Sequence, residues 1–240
     1  MGALGDDTHA RVKQLPLQIG LKDDCLLETY FPGKNAEALA QIQAMAQGKG
    51  ERFVYLWGRE GVGRTHLLQG ACHYANHFQR TSLYLSLKER KLDHPDLLQG
   101  LERLDLICLD DLDAVAGLPH WEEALFYCFN RIRTEERRLI IAADRAPKAL
   151  PILLADLQSR LSWGIVYPLT PLDDEQLLGA LQLRAHQRGL DLPDEVGMFL
   201  IRRLSRAMPT LYAVLDKLDH ASLAAQRKLT IPFVKSMIEI

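Results

Sequence analysis

Five short apolar runs with helical patterns between them constrain this chain more than any other feature. They are FVYLW (53–57), SLYLSL (82–87), LDLICL (104–109), RLIIAA (138–143) and GIVYPL (164–169). Three are apolar nearly throughout, as strands covered on both faces must be. Strands of that kind alternating with helices build βαβ crossovers and a parallel sheet. The expected fold class is α/β, with a five-stranded parallel sheet. An Ala/Leu-rich helix is expected from about Asn35, where Leu39, Ile42 and Met45 recur at helical spacing. Residues 1–30 lack sustained periodicity and read as mobile, apart from the short apolar knot QLPLQI at 14–19.

The pattern changes past Pro168 and Pro171, where only helices are predicted: 173–187, 194–205, 211–226 and a short one from 231. Pro193 is a helix-start signal. Val196, Phe199, Leu200 and Leu204 form one apolar stripe, and Leu211, Val214, Leu215 and Leu218 another. The expected organisation is a flexible segment 1–27, a nucleotide-binding α/β domain 28–169 and a small all-helical lid 170–240.

Composition narrows the function classes. A net charge of -2 gives no overall pull towards nucleic acid or an anionic membrane, so any DNA contact is expected to be weak or indirect. Cys25, Cys72, Cys108 and Cys128 are dispersed, without a C-x-x-C pair or the clustered Cys/His of a zinc site. Cys72 and Cys108 fall in a helical pattern and an apolar run, and read as buried free thiols. No run is long enough for a membrane span, and the first ten residues lack the regions of a signal peptide. A cytoplasmic, reduced setting is expected.

The first apolar run ends in GREGVGRT (58–65) and a helix is predicted over 65–77. Strand, glycine-rich loop and helix in that order form a phosphate cradle, because glycines let backbone N–H groups curl round the phosphates at a helix N-terminus. That context favours nucleotide binding over a ligand-free β–α turn. Gly58, Gly61 and Gly63 meet the steric need, and Thr65 supplies a hydroxyl for Mg²⁺. Arg64 stands where such loops carry lysine; its planar fork still pairs with phosphate oxygens, but the geometry for hydrolysis is altered. LICLDD then places two acids after a strand. Asp110 is expected at Mg²⁺, and Asp111 is the candidate for orienting water. Asp144 ends the fourth run, and Arg160 precedes the fifth.

The order of P-loop, LICLDD, AADRAP and SRLSWG resembles the AAA+ ATPases, in the branch of the replication initiator DnaA. LDDLDAVAG, FNRI and DRAPK resemble the nucleotide-binding module of that family, and YFPGKN (30–35) the segment that covers the base. The resemblance runs from about residue 28 to the end. It implies nucleotide contacts from Tyr30, Phe31, Pro32, Glu60, Val62 and His66 as well as the loop glycines, Arg64, Thr65, Asp110, Asp111 and Asp144. The initiators carry a further DNA-binding helix-turn-helix domain; this sequence stops at Ile240. It is closer to the family's DnaA-homologous regulators, which are an AAA+ core behind a clamp-binding peptide. GREGVGRTHLL, RLSWG, LQLRAHQRGLDLP and ASLAAQRKLTIPFVK carry that likeness.

Resemblance to these regulators implies a function. With the DNA-loaded sliding clamp, the beta subunit of DNA polymerase III, they stimulate hydrolysis of ATP bound to DnaA and so switch the initiator off. Their own nucleotide is typically ADP, held structurally, so the expected cofactor is ADP or another nucleoside di- or triphosphate, with Mg²⁺ as its companion ion. Gln14, Leu15, Leu17 and Ile19 are implied as the clamp-binding residues, and Arg160 as a finger acting in trans on DnaA-bound ATP. A homo-oligomer is compatible with these residues, which do not themselves fix the oligomeric state. Two positions depart from the pattern: Pro209 stands where the lid usually offers a sensor arginine, with Arg206 nearby, and Gln18 stands where the clamp peptide tends to carry proline. An independent AAA+ ATPase of helicase-loader type is the alternative, favoured by Asp110, Asp111 and Asp144. A nucleic-acid-binding module would rest on the locally basic lid, with Arg202, Arg203, Arg206, Lys217, Arg227 and Lys228, but no aromatic-basic interleaving accompanies them.

Overall fold

The computed structural model describes residues 21, 25–89, 94–225 and 228–237. All five expected strands form: β1 (Phe53–Trp57), β2 (Ser82–Ser86), β3 (Leu106–Asp110), β4 (Arg138–Ala143) and β5 (Ile165–Pro168). They make one sheet in the order β2-β3-β4-β1-β5, with every pair parallel. The strands beside β1 in space are thus the two latest in sequence, and the loop leaving β1 emerges near the middle of the sheet.

Period-two alternation divides each strand between two cores. Tyr55, Ile107, Leu109, Leu139 and Ile141 face helices α3 (Pro119–Thr134) and α4 (Ala155–Leu161), meeting Leu125, Phe129 and Leu157. Val54, Leu56, Leu106, Cys108, Ile140 and Ala142 face α1 (Ala36–Ala46) and α2 (Arg64–His77), against Ile42, Met45, Leu67 and Leu68. Burial on both faces explains why the central runs carry no polar alternation. β5, at the sheet edge, is only half-buried. The four cysteines are free thiols; Cys72, Cys108 and Cys128 are buried and Cys25 partly so.

Only helices follow β5 among the described residues: α5 (Asp174–Gln187), α6 (Asp194–Arg203), α7 (Met208–Ala225) and α8 (Ile231–Met237). Asp173 opens α5 through a capping box, accepting from the Gln176 N–H at 3.0 Å while its own N–H donates to Gln176 Oε1 at 3.2 Å. The two stripes expected from sequence supply a separate core in which Val196, Leu200, Leu211, Leu215 and Leu218 are fully enclosed. α6 ends at Arg203, so Leu204, the last residue of its stripe, is the C-cap.

The stretch before α1 is more ordered than its lack of periodicity indicates. Residues 27–29 form one 3₁₀ turn, and Leu27 and Tyr30 are buried. Asn35, 4% exposed, donates from Nδ2 to the Thr170 carbonyl at 2.9 Å and accepts the Thr170 N–H at 2.8 Å. That pair ties the segment ahead of the sheet to the entry into the helical region.

Candidate nucleotide-binding site

The loop between β1 and α2 requires its glycines. Gly61 and Gly63 have φ of 84° and 95°, a region L side chains rarely adopt, and a Cβ on Gly63 would stand 2.7 Å from Tyr30 Cε2. Gly63 is also the N-cap of α2, so the loop runs straight into the first turn of a 14-residue helix whose free N–H groups sit behind it. Val62 is half-buried against the core, while Glu60 and Gly61 are exposed at the loop tip.

The acidic strand end lies against the same turn. Asp110, with no exposed surface, accepts a hydrogen bond from the Thr65 hydroxyl at 2.6 Å and another from Tyr84 at 3.1 Å, both at Oδ2. Its Oδ1 accepts the Asp111 N–H at 2.9 Å. Burial pushes its carboxyl above the usual range, and the Thr65 hydroxyl acts in the opposite direction. Asp111 follows in a left-handed conformation, φ 56°, and accepts from the Ser86 hydroxyl at 2.9 Å. Thr65 and Asp110, the pair expected at a metal, are therefore in direct contact. Among the described residues no group of three or more His, Cys, Asp or Glu is arranged to hold a metal ion.

Arg64 reaches over these acids. Its Nη2 is 3.8 Å from Asp111 Oδ1 and its Nη1 3.9 Å from Asp113 Oδ1, with the side chain only 12% exposed. Asp144, at the end of β4, is held in a bidentate pair by Arg145 at 2.7 and 2.6 Å; that pairing draws its carboxyl below the ordinary value. The Asp144 N–H donates to Asp113 Oδ1 at 2.9 Å. Asp113, Tyr84, Ser86 and Arg145 thus belong to the site although the motifs do not single them out. Asp113 stands two residues past the acidic pair, inside the stretch LDDLDAVAG that carries the family resemblance, but no role attached to it there.

The segment 30–35 closes the other side. Tyr30 meets His66 edge-on with ring centroids 5.6 Å apart, and His66 Nε2 lies 2.7 Å from the Leu26 carbonyl and 3.1 Å from the Thr29 hydroxyl. Phe31 packs on α5, where a Cβ on Gly179 would be 3.0 Å from its ring. The helical region also approaches the loop: Ala207 Cα lies 3.9 Å from the Cβ position of Gly61. Arg206, expected from sequence as a stand-in for the lid arginine, is engaged in an ion pair with Asp174.

Arg160 is placed apart from this cluster, in the last turn of α4, half-buried. Its guanidinium stacks over Phe126 of α3 at 4.8 Å from the ring centroid. A cavity of about 420 Å³ opens near it at the strand starts, lined by Arg52, Phe53, Phe129, Arg133 and Trp163. That is the opposite end of the sheet from the phosphate loop. Gln14, Leu15, Leu17 and Ile19 lie outside the described residues.

A parallel sheet of this order, a glycine loop capping a helix, two acids on the neighbouring strand end and a helical region over the loop define a P-loop protein of the AAA+ class. More particularly, the chain belongs to the bacterial DnaA ATPase-domain family, whose model matches residues 21–168. A model for the lid domain of Hda matches residues 173–238. Solved structures agree on the fold. Domain III of the replication initiation protein DnaA from Thermotoga maritima superposes with a TM-score of 0.75 at 22% identity, over 92% of this chain and 98% of that one. AMPPCP-bound DnaA from Aquifex aeolicus gives 0.70 at 23% identity, over 84% of this chain and 67% of that one. The RuvB Holliday junction branch migration motor of T. maritima gives 0.64 at 17% identity, over 86% and 67%.

Proposed function

We propose that this chain is a nucleotide-binding AAA+ regulator which, with the sliding clamp loaded on DNA, stimulates hydrolysis of DnaA-bound ATP and so inactivates the initiator. The observation that carries the reading is the pairing, in one chain, of a DnaA-type core with a lid of the Hda type. Its nucleotide, ADP foremost, is held on 61–65 by the N–H cradle, which works through backbone and is indifferent to the change from lysine to arginine. Tyr30, Phe31, Pro32 and His66 cover the base side, and Thr65 with Asp110 would hold Mg²⁺ beside the phosphates, where the ion supplies charge neutralisation. A site short of one lid arginine favours a bound diphosphate over rapid turnover.

Two further elements carry the regulatory part. Gln14, Leu15, Leu17 and Ile19 dock on the clamp, the leucines and isoleucine filling a surface pocket while the glutamine amide anchors through hydrogen bonds. Arg160 acts in trans on the ATP of a neighbouring DnaA subunit; its stacking on α3, at the sheet end away from its own loop, supports that assignment. DnaA and the clamp are thus the partners, and DNA is met through the clamp.

The second reading, an independent ATPase, draws on Asp110 and Asp111 at the end of β3 and Asp144 at the end of the neighbouring β4. Arg64, already facing two carboxylates, opposes it. Steady-state turnover of the isolated chain separates the two. We expect less than about one ATP per chain in ten minutes, against the ~1 s⁻¹ or faster of ordinary enzymes. Sustained turnover near that faster rate contradicts the regulatory reading.

A further inference from the structure

One residue at the site, Asp113, is accounted for neither by the phosphate-loop pattern nor by the acidic pair. It lies in the 3₁₀ turn Leu112–Ala114 that follows Asp111. Its Oδ1 accepts the Asp144 N–H at 2.9 Å and lies 3.9 Å from Arg64 Nη1, while Asp111 Oδ1 is 3.8 Å from Nη2 of the same guanidinium. Both arginine contacts are ion pairs too long to be hydrogen bonds. Nη1 itself is buried without a hydrogen-bond partner, an arrangement that calls for a further acceptor.

The basic side chain of a phosphate loop is the one that cradles the β- and γ-phosphates. The head of Arg64 therefore marks the region a third phosphate would have to enter, and two carboxylates bracket it there. A diphosphate ending on the loop would offer its terminal oxygen to Nη1, the atom without an acceptor. A triphosphate would bring a further negative charge towards Asp111 and Asp113, and like charges brought close repel more strongly where water is partly excluded.

We propose that Asp113 is a specificity-determining residue: by holding the Arg64 guanidinium between itself and Asp111, it closes the site to a third phosphate while leaving Nη1 for the end of a diphosphate. The proposal rests on the reading of 61–65 as a nucleotide site. It assigns the choice between di- and triphosphate to a carboxylate outside the phosphate-loop motif.

The test is Asp113→Asn in the full chain, since Asn can still accept the Asp144 N–H through Oδ1 while the negative charge is lost. ADP and AMPPCP are titrated by calorimetry at fixed Mg²⁺. The parent should bind ADP at least ~10-fold tighter than AMPPCP, and Asp113→Asn should gain roughly 10-fold for AMPPCP while ADP shifts less than about threefold. Arg64→Lys, whose compact ammonium does not span two carboxylates, should narrow the same ratio. It also serves should the first variant fail to fold. Equal affinities in the parent, or an unchanged ratio in the folded variant, overturn the assignment while leaving the nucleotide site standing. A parent that binds neither ligand overturns the site reading, and the assignment with it.

Discussion

Arg160→Ala is expected to abolish stimulation of DnaA-ATP hydrolysis while ADP binding and clamp binding persist. The transferring γ-phosphoryl group spreads negative charge over its oxygens, and an arginine supplied by a neighbouring subunit contributes ~10³–10⁵ in rate. Arg160 is suited to that role because Phe126 carries its guanidinium from one face, which pre-orients a planar fork able to hold two oxygens at once. Arg160→Lys keeps the charge and loses the fork, so it should remain at least ~100-fold below the parent. Removing the stacked side chain also removes packing area, so thermal midpoints are measured beside the rates. Either variant stimulating as well as the parent would reduce Arg160 to a surface charge.

Replacing Gln14, Leu15 and Leu17 together by alanine is expected to eliminate capture by the clamp. Anchor residues in protein interfaces cost roughly 2 kcal/mol or more each when truncated. Three losses that add only in part still weaken binding by at least ~100-fold. The same triple variant should keep its circular dichroism and its affinity for ADP. A collapse of the thermal midpoint would show that QLPLQI packs on its own domain, and undiminished capture would place the clamp contact elsewhere.

How far the residues announced this arrangement depends on whether the information was local. The run at 53–57 coincides with β1, and the five runs sit on the five strands, because burial on both faces leaves a continuous apolar signature. The run at 104–109 differs from β3 at both ends. Asp110 continues the strand fully buried, its charge satisfied by Thr65, Tyr84 and the Asp111 N–H, whereas Asp105 precedes it and binds the Thr81 N–H and hydroxyl, each at 2.9 Å. Polar residues held by such partners are invisible to a hydropathy pattern. The loop glycines were legible for a related reason, since strand, turn and helix are contiguous. The segment carrying Leu27, Tyr30 and Phe31 had no such local signature, because its order comes from close approach to Gly70, Gly63 and Gly179, all distant in sequence. Tyr30 and Phe31 were singled out only through the family resemblance. Asp113 gains meaning only where β3 and β4 bring it beside Arg64 and the Asp144 N–H.

The most direct test of the regulatory reading is a reconstituted reaction in which the ATP bound to DnaA is followed to ADP. The parent chain is supplied with the clamp loaded on DNA, with the clamp free in solution, or with no clamp. Hydrolysis should rise well above the DnaA background only when this chain and the DNA-loaded clamp are both present. It should fall back when Arg160→Ala replaces the parent. Hydrolysis that stays at background under all three conditions, or that rises without any clamp, would contradict the proposed function.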